Sequence, residues 1–264
     1  MLPILHIGPL ALPTAQLIML LGFWLGLELA EKQAHHFRTS PAQIYHLTLI
    51  GLAAGLAGAR LTYATRTPSA FLASPLNLLA PRPEMLDPAG GWAAAALAIL
   101  VTMRIRRLPL WPSLDALTTL LAVLAVTLGL AHFASGEAFG APTQALWGIE
   151  LWGERRHPTQ IYETLAALLA AAAVWPGRRA AVLSAQAGRA GLRFWVFMGL
   201  GAAARIFIES FRGDSIILLG SFRQAQVIAW FVLAICLWQI GQRLGQQHQA
   251  VPEEKPPHEP ISSI

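Results

Sequence analysis

The stretch RRHPTQIYE, Arg155–Glu163, sets His157, Gln160, Tyr162 and Glu163 close together and then runs straight into the apolar TLAALLAAA. A water-facing helix would spread such residues along one side. Stacked at one end, they suit a helix whose mouth alone meets other polar groups. Arg205, Glu209 and Arg212 follow i, i+4, i+7 spacing, which is one helix face. Arg60 follows GLAAGLAG, and HFASGE carries His132, Ser135 and Glu137. Guanidinium groups match phosphate with forked donors, and a carboxylate or imidazole can take a proton. These residue types suit a phosphate-bearing substrate and a proton transfer. Each also has a plainer role: Arg205 paired with Glu209, Arg60 snorkelling, His157 entering a helix before Pro158, Gln160 holding Glu163, and Glu137 solvated. No His/Cys set has metal-ligand spacing and no Gly-rich loop suits a phosphate, so neither metal nor cofactor is expected. Ser135-Gly136 is a faint trace of an intramembrane serine protease, but no histidine follows His157 until His248 in the tail.

The positioning elements follow from composition. The chain of 264 residues is 55% hydrophobic and only 12% charged, against about 25% charged in soluble domains. With a mean hydropathy of +0.51, this predicts an all-α polytopic membrane protein. The net charge of +5 then reads as a loop bias rather than a nucleic-acid surface. Cys236 is the only cysteine, so no internal disulfide can form. The start, MLPILHIGPLALP, lacks a positive n-region, so no cleaved leader is expected. Seven transmembrane helices are expected near 14–32, 44–64, 88–103, 114–134, 158–175, 191–211 and 223–242, forming one domain over 1–245. The Pro-rich segment 65–86 is expected along the interface, and the polar tail 246–264 is expected to be disordered.

Eleven basic residues fall on the side reached after the first, third, fifth and seventh spans, including Arg193 and Arg243, against six on the other. The positive-inside rule then puts the N-terminus outside and the C-terminus in the cytoplasm. In that orientation Arg60, His132, Glu137, His157, Gln160, Tyr162, Glu163, Arg205, Glu209 and Arg212 all fall at the outer ends of their helices. They would face a cavity that opens outward.

These residues resemble those of bacterial phosphatidylglycerol–prolipoprotein diacylglyceryl transferases, over nearly all of residues 5–242. IGPLALPTAQLIMLLGFWLGLELA is similar to that family's first span, GARLTYA (58–64) to its Gly-Arg motif, RHPTQIYE (156–163) to its Arg-His-Pro-Ser-Gln-Leu-Tyr-Glu stretch, and ARIFIESFRGD (204–214) to its sixth helix. The family pattern Gly-Arg-x-Gly-Asn-Phe-x-Asn-x-Glu-x-x-Gly meets LGLAHFASGEAFG (128–140) here. Phe133, Glu137 and Gly140 fit. Gly129 replaces a lipid-contacting Arg, and His132 and Ser135 replace the two Asn. Ala89-Gly90-Gly91 replaces His-Gly-Gly, and Gly201 replaces a Tyr. Ala89→His and Gly129→Arg would restore the pattern.

The resemblance implies a bacterial inner-membrane enzyme whose partners are phosphatidylglycerol, or another anionic lipid, and the signal peptide of a lipoprotein precursor. Diacylglycerol would pass to a lipobox cysteine thiol. Arg205 and Arg60 are expected on the phosphate. Glu137, with His132 as the second choice, is expected to take the thiol proton. His157, Gln160, Tyr162, Glu163, Glu209 and Arg212 are expected to bind substrate. The missing Arg and His carry an alternative, a non-catalytic homologue that binds anionic lipid or the precursor.

Overall fold

A computed structural model describes residues 4–7, 10–73, 85–175, 190–218 and 222–245. The long helices are α1 (Thr14–Gln33), α2 (Pro41–Arg66), α4 (Pro88–Ile105), α5 (Leu110–Ser135), α6 (Thr159–Val174), α7 (Leu192–Glu209) and α8 (Gln224–Gly245). A helix therefore stands at each expected span. Among the described residues, five helices are long and apolar enough to cross a membrane. The others are α6, which has 16 residues, and α7, which carries Arg193, Arg205 and Glu209.

Polar caps set the first residues of α2 and α4; at α2 the cap moves the start from the expected 44 back to Pro41, and at α4 it falls at the expected 88. Ser40 accepts a hydrogen bond from Gln43 N at 3.1 Å, with Pro41 following it. Asp87 accepts from Gly90 N at 2.8 Å, with Pro88 following it. A short polar acceptor before a proline is a strong helix start. Asp87 also pairs with Arg66 at 2.5 Å, which ties the end of α2 to the start of α4. Within 65–86, α2 runs on to Arg66 and a short α3 spans Pro68–Ala73; residues 74–84, like the tail 246–264, lie outside the described residues.

Small residues set the helix spacing. A Cβ on Gly58 would stand 3.0 Å from Gly90 O and collide with Ala94, and one on Gly90 would reach Thr62 Cγ2 at 2.9 Å. The glycine-rich stretch of α2 thus lets α4 approach at backbone distance. α1 packs on α5, α5 on α6, α6 on α7 and α7 on α8.

Two-stranded antiparallel hairpins add to the helices, which the all-α expectation did not include. They are β1 (Ile4–Ile7) with β2 (Leu10–Pro13), β3 (Ile149–Leu151) with β4 (Glu154–Arg156), and β5 (Ile217–Leu218) with β6 (Phe222–Arg223). The β3–β4 turn is Trp152-Gly153, with φ of 57° and 79°. Two positive φ values make the tight turn that matches strand twist.

One end of the bundle is locked by a buried polar network. Asp115 of α5 accepts from Gly191 N at 2.6 Å and Phe194 N at 2.9 Å, capping α7 from a neighbouring helix. Arg193 donates to Val174 O at 2.6 Å, to Thr119 Oγ1 at 2.9 Å and to Asp115 O, and stacks over Phe37 at 4.8 Å. Arg243 lies 4.1 Å from the Trp111 ring centre and donates to Ala190 O at 3.1 Å. Both arginines counted as basic residues flanking the spans are therefore bound inside the protein.

Candidate active site

At the opposite end, the C-terminal ends of α5 and α7 meet the N-terminal end of α6. Glu163, one turn into α6, is the centre. Its Oε1 accepts from Arg212 Nη1 at 2.7 Å and from Arg205 Nη1 at 3.2 Å; its Oε2 lies 2.9 Å from His132 Nδ1. Arg205 Nη2 also lies 3.0 Å from Glu209 Oε2, and Glu209 is only 2% exposed. Arg212 closes a two-bond fork on Asp214, at 2.8 and 2.7 Å.

Arg212 therefore has all three nitrogens on carboxylates. Burial disfavours its cation, but the Asp214 hydrogen bonds and the charges of Glu163, Asp214 and Glu209 outweigh that, so its pKa is raised. Arg205 differs. It is 39% exposed, and its two ion pairs use two of a guanidinium's five N–H groups. It is the cation of this cluster that still faces outward.

The loop after α5 is laid in as an extra strand. Gly140 bridges Arg212, and Pro142 bridges Arg156. Ala141 N donates to Phe211 O at 2.7 Å, His157 N to Ala141 O at 3.0 Å, and Gly213 N to Phe139 O at 2.9 Å. A Cβ on Gly140 would stand 2.7 Å from His157 Cβ and strike His157 O, so this crossing admits only glycine. Arg223 fastens the next turn by donating to Arg212 O at 2.7 Å, Ser215 Oγ at 2.9 Å and Glu209 O.

Gln160 does not hold Glu163. It is fully buried and donates from Nε2 to Glu137 O at 2.9 Å, beside Thr159, which donates to Ala138 O at 2.6 Å. Gln160 Oε1 is a buried acceptor with no hydrogen-bond donor among the described residues, and Glu209 Oε2 is buried against its ion-pair partner Arg205. The Glu137 side chain is exposed, while its backbone carbonyl holds Gln160. His157 and Tyr162 form an aromatic layer with Phe211, at ring distances of 5.1 and 6.0 Å, and Trp147 donates to Tyr162 Oη at 2.7 Å. Arg60 is at the same end of the bundle but in the α2–α4 pair, donating to Met85 O at 3.2 Å and lying 5.8 Å from the Phe71 ring centre.

The structure thus brings His132, Glu163, Arg205, Glu209 and Arg212 into one cluster, with Gln160 and the Glu137 backbone beside it. Sequence reasoning missed Asp214 as the partner of Arg212 and left Arg223 out of the site, although Arg-Gly-Asp puts a carboxylate two residues from Arg212. An open groove of about 320 Å³ runs between α7 and α8, lined by Gly201, Ala202, Ala225, Ile228 and Ala229, and reaches Arg205. A Cβ on Gly201 would meet nothing within 4 Å.

The family model for prolipoprotein diacylglyceryl transferase matches residues 3–241. The chain belongs to the prolipoprotein diacylglyceryl transferase family. Among its relatives, the phosphatidylglycerol–prolipoprotein diacylglyceryl transferase of Synechococcus elongatus is 26% identical over 249 residues, covering 90% of this chain and 85% of the relative. That of Nostoc is 25% identical, covering 89% and 86%. That of Clostridium botulinum is 28% identical over 247 residues, covering 88% and 93%. Gly129 is buried against the backbone of Thr164, so position 129 has no room for a long cation.

Proposed function

We propose that this chain moves diacylglycerol from phosphatidylglycerol to the cysteine thiol of a lipoprotein precursor in a bacterial inner membrane. The observation that supports this most is Arg205, half-turned to the outside at the head of an apolar groove. A phosphodiester bound there keeps its charge on guanidinium N–H groups while an acyl chain lies along Gly201, Ala225 and Ile228. Arg212, whose nitrogens are taken, acts by holding Glu163 in place.

In the reaction the sulfur forms a bond to the glycerol carbon. The C–O bond to phosphate breaks, and glycerol phosphate leaves with the electron pair. Arg205 stabilises the charge gathering on the phosphate oxygens.

The same reading includes seven crossings, an outer N-terminus and a site that opens outward. α6 and α7 support it by packing between the longer helices α5 and α8. Removing Arg193 and Arg243 from the loop charges still leaves Arg104, Arg106, Arg107, Arg178 and Arg179 on the proposed cytoplasmic side.

The test is purified protein in phosphatidylglycerol liposomes with a precursor peptide carrying one cysteine. A gain of one diacylglyceryl unit on the peptide and release of glycerol phosphate are expected. Lipid binding without peptide modification would favour the non-catalytic alternative, to which the missing family Arg and His point.

A further inference from the structure

Transfer requires a proton to leave the thiol, and the family's third-span His is Ala89 here. His132 of α5 lies one helix away from the arginines and 2.9 Å, through Nδ1, from Glu163 Oε2. A carboxylate only accepts, so the Nδ1 that faces it carries the hydrogen. In the neutral ring this leaves the Nε2 lone pair to accept. His132 is 22% exposed and Glu163 is 15% exposed, so the ring is held from the inside and reachable from the outside. Glu163 is itself fixed by Arg205 and Arg212, so the ring's orientation is set from α6, α7 and the turn after α7.

We infer that His132, oriented by Glu163, is the proton acceptor of the transfer. This rests on the transferase reading above. His132 Nε2 takes the proton from the precursor thiol. The thiolate sulfur then bonds to the glycerol carbon as the C–O bond to phosphate breaks. The proton passes from Nε2 to the departing glycerol phosphate or to water, and the ring returns to its starting form. Arg205, next to the same carboxylate, favours the thiolate by its charge. Glu163 is a positioning residue. It fixes which nitrogen of the ring is free, as the orienting carboxylate does in other base–carboxylate pairs.

The test is His132→Asn, because an amide is what the family pattern carries at this position and so the packing has a precedent. Transfer is measured in phosphatidylglycerol liposomes with two precursor peptides, one with cysteine and one with selenocysteine kept reduced. A selenol is ionised at neutral pH and needs no base. His132→Asn is expected to lower transfer to the thiol by about 100-fold or more, within the range for loss of a general base. On the selenol peptide the loss should shrink to less than about 10-fold. Glu163→Gln should follow the same pattern, with peptide and lipid binding retained. Equal losses on both peptides would mean that His132 only shapes the site, and the inference falls. Unchanged thiol transfer in His132→Asn overturns it as well. No transfer by the unmutated protein to either peptide would overturn the transferase reading itself, an outcome distinct from the other two.

Discussion

Gly129 of α5 faces the start of α6 so closely that a Cβ would stand 2.9 Å from Thr164 N and 3.0 Å from Thr164 Cα. The contact is with backbone, which a rotamer change cannot relieve. It brings His132, three residues further along α5, within reach of Glu163. Gly129→Ala should therefore destabilise the protein by about 1–3 kcal/mol, the usual cost of overpacking. Gly129→Arg should fail to restore a family-like site and should lower yield and melting temperature in detergent. A Gly129→Arg protein that melts like the parent and transfers faster would show that α5 and α6 separate more easily than this contact allows.

Arg205 separates charge from fork. Arg205→Lys keeps a cation near Glu163 and Glu209 but loses the planar donors that meet a phosphate two at a time. We expect the Lys variant to fold, with transfer reduced at least about tenfold, and the Ala variant to be inactive. Full activity in Arg205→Lys would rule out a bidentate phosphate contact. Full activity in a folded Arg205→Ala protein would make Arg205 a structural partner of Glu209 alone.

The seven helical segments were legible because a 20-residue apolar run has few other solutions in a bilayer. Helix starts at Pro41 and Pro88 were also written in the sequence, as Ser40-Pro41 and Asp87-Pro88; the second was read at 88, while hydropathy passed over the first. The β3–β4 hairpin was harder to see. Its strands have three residues each, too short for a period of two to show, and Trp152-Gly153 was its one local sign. The convergence of Arg205, Glu209 and Glu163 at one end was readable from spacing and helix direction. The central place of Glu163 was not, because it depends on how three helix ends and the turn after α7 meet. Arg193 looked like a loop charge for a similar reason: its partners Asp115, Thr119 and Val174 are far away in sequence.

That network gives a stability prediction away from the chemistry. Arg193→Met removes the donor that Val174 O, Asp115 O and Thr119 Oγ1 share, and leaves those acceptors unpaired in the interior. Leaving a buried acceptor without its donor costs about 1–3 kcal/mol. Thermal unfolding in detergent should show a large loss, whereas Arg106→Met, on an exposed residue, should show almost none. Equal melting temperatures for the two would mean that the Asp115–Arg193 network does not hold this end together.

Topology is open to direct labelling. Leu146 is 88% exposed in the loop at the Glu163 end, and Arg106 is exposed in the connection at the Asp115 end. The native Cys236 is fully buried, so background labelling should be low. Leu146→Cys in intact cells, with the outer membrane permeabilised, should react with a membrane-impermeant thiol reagent. Arg106→Cys should react only after the inner membrane is opened. This pattern would place the Arg205–Glu163–His132 cluster on the side where a translocated precursor presents its cysteine. The reverse pattern would put the cluster on the cytoplasmic side, and the charge bias of Arg104, Arg106 and Arg107 would then have misled the orientation.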